Sequence, residues 1–128
     1  MSMRHLMIVV AMSLFGSAAL ADPALGTWQT QAGETGGYAH VVLAPCNGKI
    51  CGTITKVFNN ANTSAEGRQI VAGMSPNGGG KYSGGTIWAP DQDKTYQSRM
   101  ELSGDSLEVK GCVLGGLVCR GQTWMRVN

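Results

Sequence analysis

Polar and aromatic side chains alternate along the last segment of the chain, which carries Arg120, Gln122, Trp124 and Arg126. Side chains two residues apart lie on the same face of a β-strand, so these four are expected to share one face. A guanidinium presents a fork of donors that suits planar anions, and buried charge is costly unless it is paired. The spacing therefore predicts that one or both arginines hold the carboxylate or another anionic group of a small apolar ligand.

Each arginine also has an interpretation that needs no ligand. Arg126 lies near the end of its segment, where stacking on Trp28 or Trp124 would close one end of a β-barrel, and we favour this cation–π contact for Arg126. For Arg120 the two interpretations are balanced, because this side chain could equally reach water from the edge of a hairpin.

No group of residues predicts catalysis. His40 is the only histidine after the first 21 residues, and an outward strand position is more typical of a solvated side chain than of a catalytic base. There is no Gly-x-Ser-x-Gly motif, and no serine has a histidine partner. The acidic turn at 91–93 lacks the glycine and terminal glutamate of a calcium loop. We therefore expect a protein that is not an enzyme and that has no metal site and no cofactor.

Four cysteines, at positions 46, 51, 112 and 119, allow three disulfide pairings. The local sequence favours Cys46 with Cys51 and Cys112 with Cys119. The stretch 112–119 reads the same in both directions, and a turn at its central Gly-Gly would bring the two cysteines together. Zinc is the alternative, but two to four residues usually separate the zinc ligands within a pair. Four residues separate Cys46 from Cys51, at the limit of this range, and six separate Cys112 from Cys119, beyond it. We expect two disulfides.

The N-terminal residues 1–21 have the pattern of a secretory signal peptide. Arg4 and His5 precede an apolar run of ten residues, 6–15, and Ala19-Leu20-Ala21 forms a cleavage site. The run is too short to cross a bilayer, so we expect no membrane span. A single domain at 22–128, periplasmic or secreted, should remain. This domain contains nine Lys and Arg residues and eight Asp and Glu residues, and a net charge so close to zero predicts no binding to nucleic acid.

The rest of the chain contains short runs of β-branched and aromatic residues bounded by Gly, Asn, Asp or Pro, which predict an all-β fold. The polar segment 59–69 could form a lid with a short helix, and the Gly-rich stretch 75–85 predicts a wide turn. We expect eight strands, at 25–31, 38–45, 50–58, 70–74, 84–89, 94–102, 107–114 and 117–127.

The turns fix which side chains share a face. Pairing Cys112 with Cys119, and a turn at Gly104-Asp105, place one set of side chains on the inner face: Tyr96, Ser98, Met100, Leu107, Val109, Arg120, Gln122 and Trp124. Both disulfides then lie on the solvent-exposed outer face. Eight short antiparallel strands joined by tight turns predict a small up-and-down barrel, with an open β-sandwich as the alternative.

Several motifs resemble an uncharacterised family of small exported bacterial proteins, domain of unknown function 2147. They are Gly26-Thr27-Trp28, Pro45-Cys46, Cys51-Gly52, Tyr82-Ser83-Gly84-Gly85, Lys94-Thr95-Tyr96, Gly111-Cys112 and the segment 122–127. The family usually has Asp-Pro and Gly-Lys at the turn where this chain has Ala89-Pro90 and Asp93-Lys94. The resemblance implies a lipocalin-like barrel, in which a Gly-x-Trp on the first strand packs against an arginine on the last, but it implies no reaction or ligand.

Two functions follow from these patterns. The favoured one is a binding module whose barrel takes a small apolar or amphipathic molecule, in a monomer or weak dimer. Its candidate ligand-binding side chains are Trp28, Tyr96, Arg120, Gln122, Trp124 and Arg126. The alternative is a protein-recognition module, such as an inhibitor of an envelope-directed hydrolase, that presents the loop 59–69 and the Gly-rich stretch 75–85 as its contact surface. The protein partner it would bind is unknown.

Overall fold

The computed structural model describes residues 22–128, which form a closed barrel of eight antiparallel strands. Each strand pairs with the next, and the last pairs with the first. The predicted up-and-down barrel is confirmed, and the alternative open sandwich is wrong. The predicted signal peptide at 1–21 lies outside the described residues. The strands are β1 (Gly26–Gln29), β2 (Tyr38–Cys46), β3 (Lys49–Phe58), β4 (Gln69–Gly78), β5 (Lys81–Ala89), β6 (Lys94–Ser103), β7 (Ser106–Val113) and β8 (Val118–Arg126).

The β7–β8 hairpin has the predicted register, with Cys112 opposite Cys119 and bonded to it. Gly115 and Gly116 take φ values of +66° and +92° at the turn, which glycine adopts without steric cost. The other predicted disulfide, between Cys46 and Cys51, is also formed. All four sulfurs are thus bonded in pairs, which leaves none free for the zinc alternative.

The environment of the Cys112–Cys119 disulfide differs from the prediction. Cys112 points to the outer face as expected, yet it is only 3% exposed. The guanidinium of Arg99 covers the disulfide, with its Nη2 atom 2.8 Å from Sγ of Cys119 and 3.7 Å from Sγ of Cys112. A long cationic side chain can bury apolar surface under its stem while its charged end stays in water.

The Gly-rich stretch 75–85 is not a wide turn. β4 and β5 continue through it to a tight turn at Gly79 and Gly80, whose φ values are +65° and +78°. The segment 59–68 between β3 and β4 contains hydrogen-bonded turns but no helix. The predicted wide turn is wrong. A high glycine content is typical of a loop, but several of these glycines lie instead in a tight hairpin turn or at shifts in the strand register.

The inner face of the barrel matches the predicted alternation and is densely filled. Eight large side chains are less than 2% exposed: Trp28, Val41, Leu43, Ile54, Val71, Met74, Leu107 and Trp124. Ser98 is buried with them on the inner face of β6. Packing at this density leaves little free volume in the middle of the barrel.

The two ends of the barrel differ. The tight turns β2–β3, β4–β5 and β6–β7 lie at one end, because alternate connections of an antiparallel meander share an end. We call this the closed end, since residues 22–25 pack there. The connections 30–37, 59–68, 90–93 and 114–117 lie at the opposite, open end. Among residues 22–128, no helix is long and apolar enough to cross a membrane.

Candidate functional site

A cavity of about 520 Å³ lies at the open end, between the β5–β6 hairpin and the β7–β8 hairpin. Its volume falls within the usual range of small-molecule pockets, about 300 to 1,000 Å³. Ile70, Ile87 and Val109, all buried, form its apolar part. Gly111 adds no side chain to this wall, where a Cβ atom would come within 3.3 Å of Ile87. We refer to this cavity as the mouth pocket.

The rim of the mouth pocket is polar. Arg120 lines it from the inner face of β8 and is exposed to solvent. The two ion pairs of residues 22–128, Lys110 with Glu108 and Arg126 with Asp105, do not include it. Asp91, on the β5–β6 turn, is the acidic side chain among the described lining residues. The Arg120 guanidinium therefore keeps its donors available to a solute in the pocket.

Two rim amides accept hydrogen bonds from aromatic side chains, and one of these bonds fixes the orientation of its amide. The indole N–H of Trp124 donates to Oε1 of Gln122 over 2.8 Å, and the hydroxyl of Tyr96 donates to Oε1 of Gln92. An indole nitrogen can only donate, so Gln122 must present its oxygen to Trp124. The NH₂ group of Gln122 is then the end left to donate elsewhere. Together with Arg120 it makes the β8 side of the rim rich in donors.

A cation–π contact and a hydrogen bond stabilise the opposite wall of the pocket. Arg68 lies 3.8 Å above the ring of Trp88, and the indole N–H of Trp88 donates to Asp93 over 2.9 Å. These contacts connect the β3–β4 segment to the β5–β6 turn. They hold the turn that carries Asp91 and Gln92 in position beside the pocket.

Of the predicted ligand-binding side chains, the structure brings Tyr96, Arg120 and Gln122 together at the mouth pocket. Trp124 is fully buried and donates a hydrogen bond to Gln122, but it does not itself line the pocket. The remaining two predicted residues, Trp28 and Arg126, lie at the closed end. Sequence reasoning missed the β5 side of the pocket, formed by Ile87, Asp91 and Gln92, because strand alternation cannot say which distant strands face each other across a barrel.

The closed end is sealed by Trp28 and Arg126. The Arg126 guanidinium stacks 4.4 Å above the Trp28 ring, pairs with Asp105 at 3.2 Å and donates to the carbonyl of Leu25 at 3.1 Å. The Trp28 indole donates to the carbonyl of Ala24 over 2.9 Å. Because Arg126 has this many partners within the protein, it closes the barrel and has few hydrogen-bond donors left for a ligand.

Tyr82 completes the closed end. Its hydroxyl donates to Oδ1 of Asp22 over 2.7 Å. Burial, and then the hydrogen bond and negative charge of Asp22, raise the pKa of Tyr82 well above its usual value. The phenol therefore stays protonated and keeps residue 22 attached to the barrel.

His40 lies away from the mouth pocket. Its Nε2 atom is 3.2 Å from Oε1 of Gln29, and its ring packs 4.6 Å from that of Phe58. Within residues 22–128 no three His, Cys, Asp or Glu side chains cluster in a way that could hold a metal ion.

The contact surface predicted for a protein-recognition module is not a single surface. The Gly-rich stretch forms the β4–β5 turn at the closed end, whereas the segment 59–68 lies at the open end. β4, a strand of ten residues, separates them. At a rise of about 3.3 Å per residue the two segments are roughly 30 Å apart, so they cannot present one continuous epitope.

A family profile described as an uncharacterized protein conserved in bacteria (DUF2147) matches residues 26–126. Curated protein sequences give no match. The chain is also similar to a solved structure described as protein HP1028 from the human pathogen Helicobacter pylori, which belongs to the lipocalin family. The TM-score is 0.68 at 21% identity, over 81% of this chain and 82% of that chain. At this identity the similarity shows a lipocalin-like fold.

Proposed function

Because the chain belongs to the DUF2147 family of uncharacterised bacterial proteins and has a lipocalin-like barrel, we propose that it is a binding module and not an enzyme. Its ligand is a small amphipathic anion. The apolar part of the ligand packs on Ile87 and Val109 in the mouth pocket, and its anionic group meets Arg120. The observation that carries this proposal is the guanidinium at the pocket rim, which pairs with no carboxylate of residues 22–128.

The donors at the rim favour an anion over a neutral head group. Arg120 and the NH₂ group of Gln122 both lie on the β8 side of the pocket. Charge-assisted hydrogen bonds to a carboxylate or phosphate are stronger than neutral ones. Asp91 on the opposite side disfavours an anion there, so the anionic group is expected on the β8 side.

The filled interior limits how far the ligand can enter. Trp124 and Leu107 are completely buried below the pocket, and Trp28 and Met74 occupy the barrel toward the closed end. A long acyl chain would have to displace these side chains, which costs their packing energy. The apolar part of the ligand is therefore no longer than a medium-length chain, such as that of decanoate, and remains near the open end.

The proposed location is the periplasm or the extracellular space, after removal of the leader. Both disulfides are formed, and disulfides persist mainly in oxidising compartments. A binding module there would meet amphiphiles released from, or entering, the cell envelope.

Calorimetric titration with decanoate and with 1-decanol tests the proposal, since the two differ only in the head group. We expect decanoate to bind about tenfold more tightly, because a partly exposed charged hydrogen bond contributes roughly 1.4 kcal/mol. Arg120→Gln should abolish this difference by weakening decanoate binding alone.

Lys110→Gln is the matched control, because Lys110 is a cation on the adjacent strand that does not line the pocket. It should leave both affinities unchanged. Equal affinities for decanoate and decanol in the unmodified protein, or an Arg120→Gln variant that binds decanoate normally, would contradict the proposal.

A further inference from the structure

The apex of the β7–β8 hairpin exposes apolar side chains beside the mouth pocket. Leu114 is 72% exposed and Leu117 86%, the largest exposures among the large apolar residues of 22–128. Val113 and Val118, at the base of this apex, are also exposed and line the pocket. We propose that the apex, residues 113–118, inserts into the surface of an anionic phospholipid bilayer and docks the open end of the barrel on a membrane.

The hairpin holds the apex in a fixed shape. The Cys112–Cys119 disulfide joins the strands directly below it, and Arg99 donates to the carbonyl of Gly116 over 3.0 Å. Leu114 has φ +55°, a left-handed conformation that leucine rarely adopts. The side-chain entropy lost when the leucines are buried is then the main ordering cost, because the backbone is already constrained by these contacts.

Cations flank the apex. Arg99 contacts its turn from the outer face, and Arg120 lies on the inner face two residues beyond Val118. Both arginines are exposed, and neither belongs to the ion pairs of the described residues. Basic residues next to an inserted apolar segment add electrostatic attraction to anionic lipids. This charge pattern favours an anionic membrane over a neutral one.

The size of the apex favours a lipid surface over a protein partner. Stable protein interfaces bury about 1,200 to 2,000 Å² in total, far more than four apolar side chains at one turn can supply. A narrow apex instead suits insertion among lipid head groups, where each leucine gains contacts without a complementary pocket. This inference is independent of the proposed ligand, although docking would bring the mouth pocket to a surface where amphiphiles accumulate.

Cosedimentation of the folded protein with vesicles tests the inference. We expect binding to vesicles of phosphatidylglycerol mixed with phosphatidylcholine, and much weaker binding to phosphatidylcholine alone. Leu114→Ser with Leu117→Ser should lower the partition coefficient by about tenfold per leucine removed from the interface. Intrinsic fluorescence checks that each variant is folded.

Met125→Ser with Val127→Ser is the matched control. These residues are 50% and 48% exposed, near the closed end, and should not affect vesicle binding. Three results would overturn the inference: no binding to anionic vesicles, equal binding to neutral ones, or equal losses in the apex and control variants. Apex-dependent dimers in sedimentation velocity without lipid would overturn it in favour of a second copy of this chain.

Discussion

Trp28→Ala is expected to lower the free energy of unfolding by about 3 to 5 kcal/mol, the usual loss when a buried Trp is truncated. Trp28 is completely buried. Its removal leaves a cavity, an unpaired carbonyl at Ala24 and an Arg126 guanidinium without its stacking surface. Since domains of this size are stable by only about 5 to 15 kcal/mol, one substitution would remove a large share of the total.

Denaturant unfolding followed by circular dichroism measures this loss. A double-mutant cycle with Arg126→Met isolates the contact between the two side chains, and we expect a coupling energy of about 0.5 to 2 kcal/mol. Trp88→Ala is the control, because Trp88 is only partly buried and lies toward the open end. A Trp28→Ala loss no larger than that of Trp88→Ala would contradict the role of Trp28 in sealing the barrel.

Gly85→Ala is expected to lower the free energy of unfolding by about 3 kcal/mol, near the upper end of the usual cost of overpacking. A Cβ atom at this position would lie 2.4 Å from the carbonyl oxygen of Ala72 and 2.9 Å from the backbone nitrogen of Met74. Both obstacles are backbone atoms of β4, so only a shift of the strand could relieve the clash. β4 and β5 would have to separate between the Ala72–Thr86 and Ser75–Ser83 pairs, which are otherwise in one continuous register.

Gly84→Ala provides the comparison, because the two glycines are neighbours with different requirements. Gly84 has φ +82° and open space around it, so an alanine there meets conformational strain of about 1 to 2 kcal/mol and no clash. Thermal or chemical unfolding should rank Gly85→Ala below Gly84→Ala in stability. The reverse order would show that β4 can move away from β5 at little cost.

The sequence allowed the barrel to be predicted where pairing is local. The mirror-symmetric segment 112–119 and the turn at Gly104 determine the register of three strands, and both registers are as expected. Hairpins of this kind depend on turn residues and alternation, which a single sequence displays. The buried positions of Leu107, Val109 and Trp124 follow directly from that register.

Features that depend on distant strands could not be predicted in the same way. The burial of Cys112 depends on Arg99, a residue on another strand whose side chain folds over the disulfide. The mouth pocket likewise combines β8 with Ile87 and Asp91 from the β5 side. The register shift between His40 and Val41 has no sequence signal that alternation would reveal, because a bulge adds one residue without changing the residue types.

The central claim is that the ligand binds at the open end, beside Arg120, while the closed end remains sealed. The most direct test is a ¹⁵N NMR titration of the protein with decanoate. We predict saturable shifts of the Gly111 and Ile87 amides and of the Gln122 side-chain amide, with the amides of Trp28 and Tyr82 unchanged. Saturable shifts confined to Trp28 and Tyr82, or no saturable shift at the open end, would contradict the account.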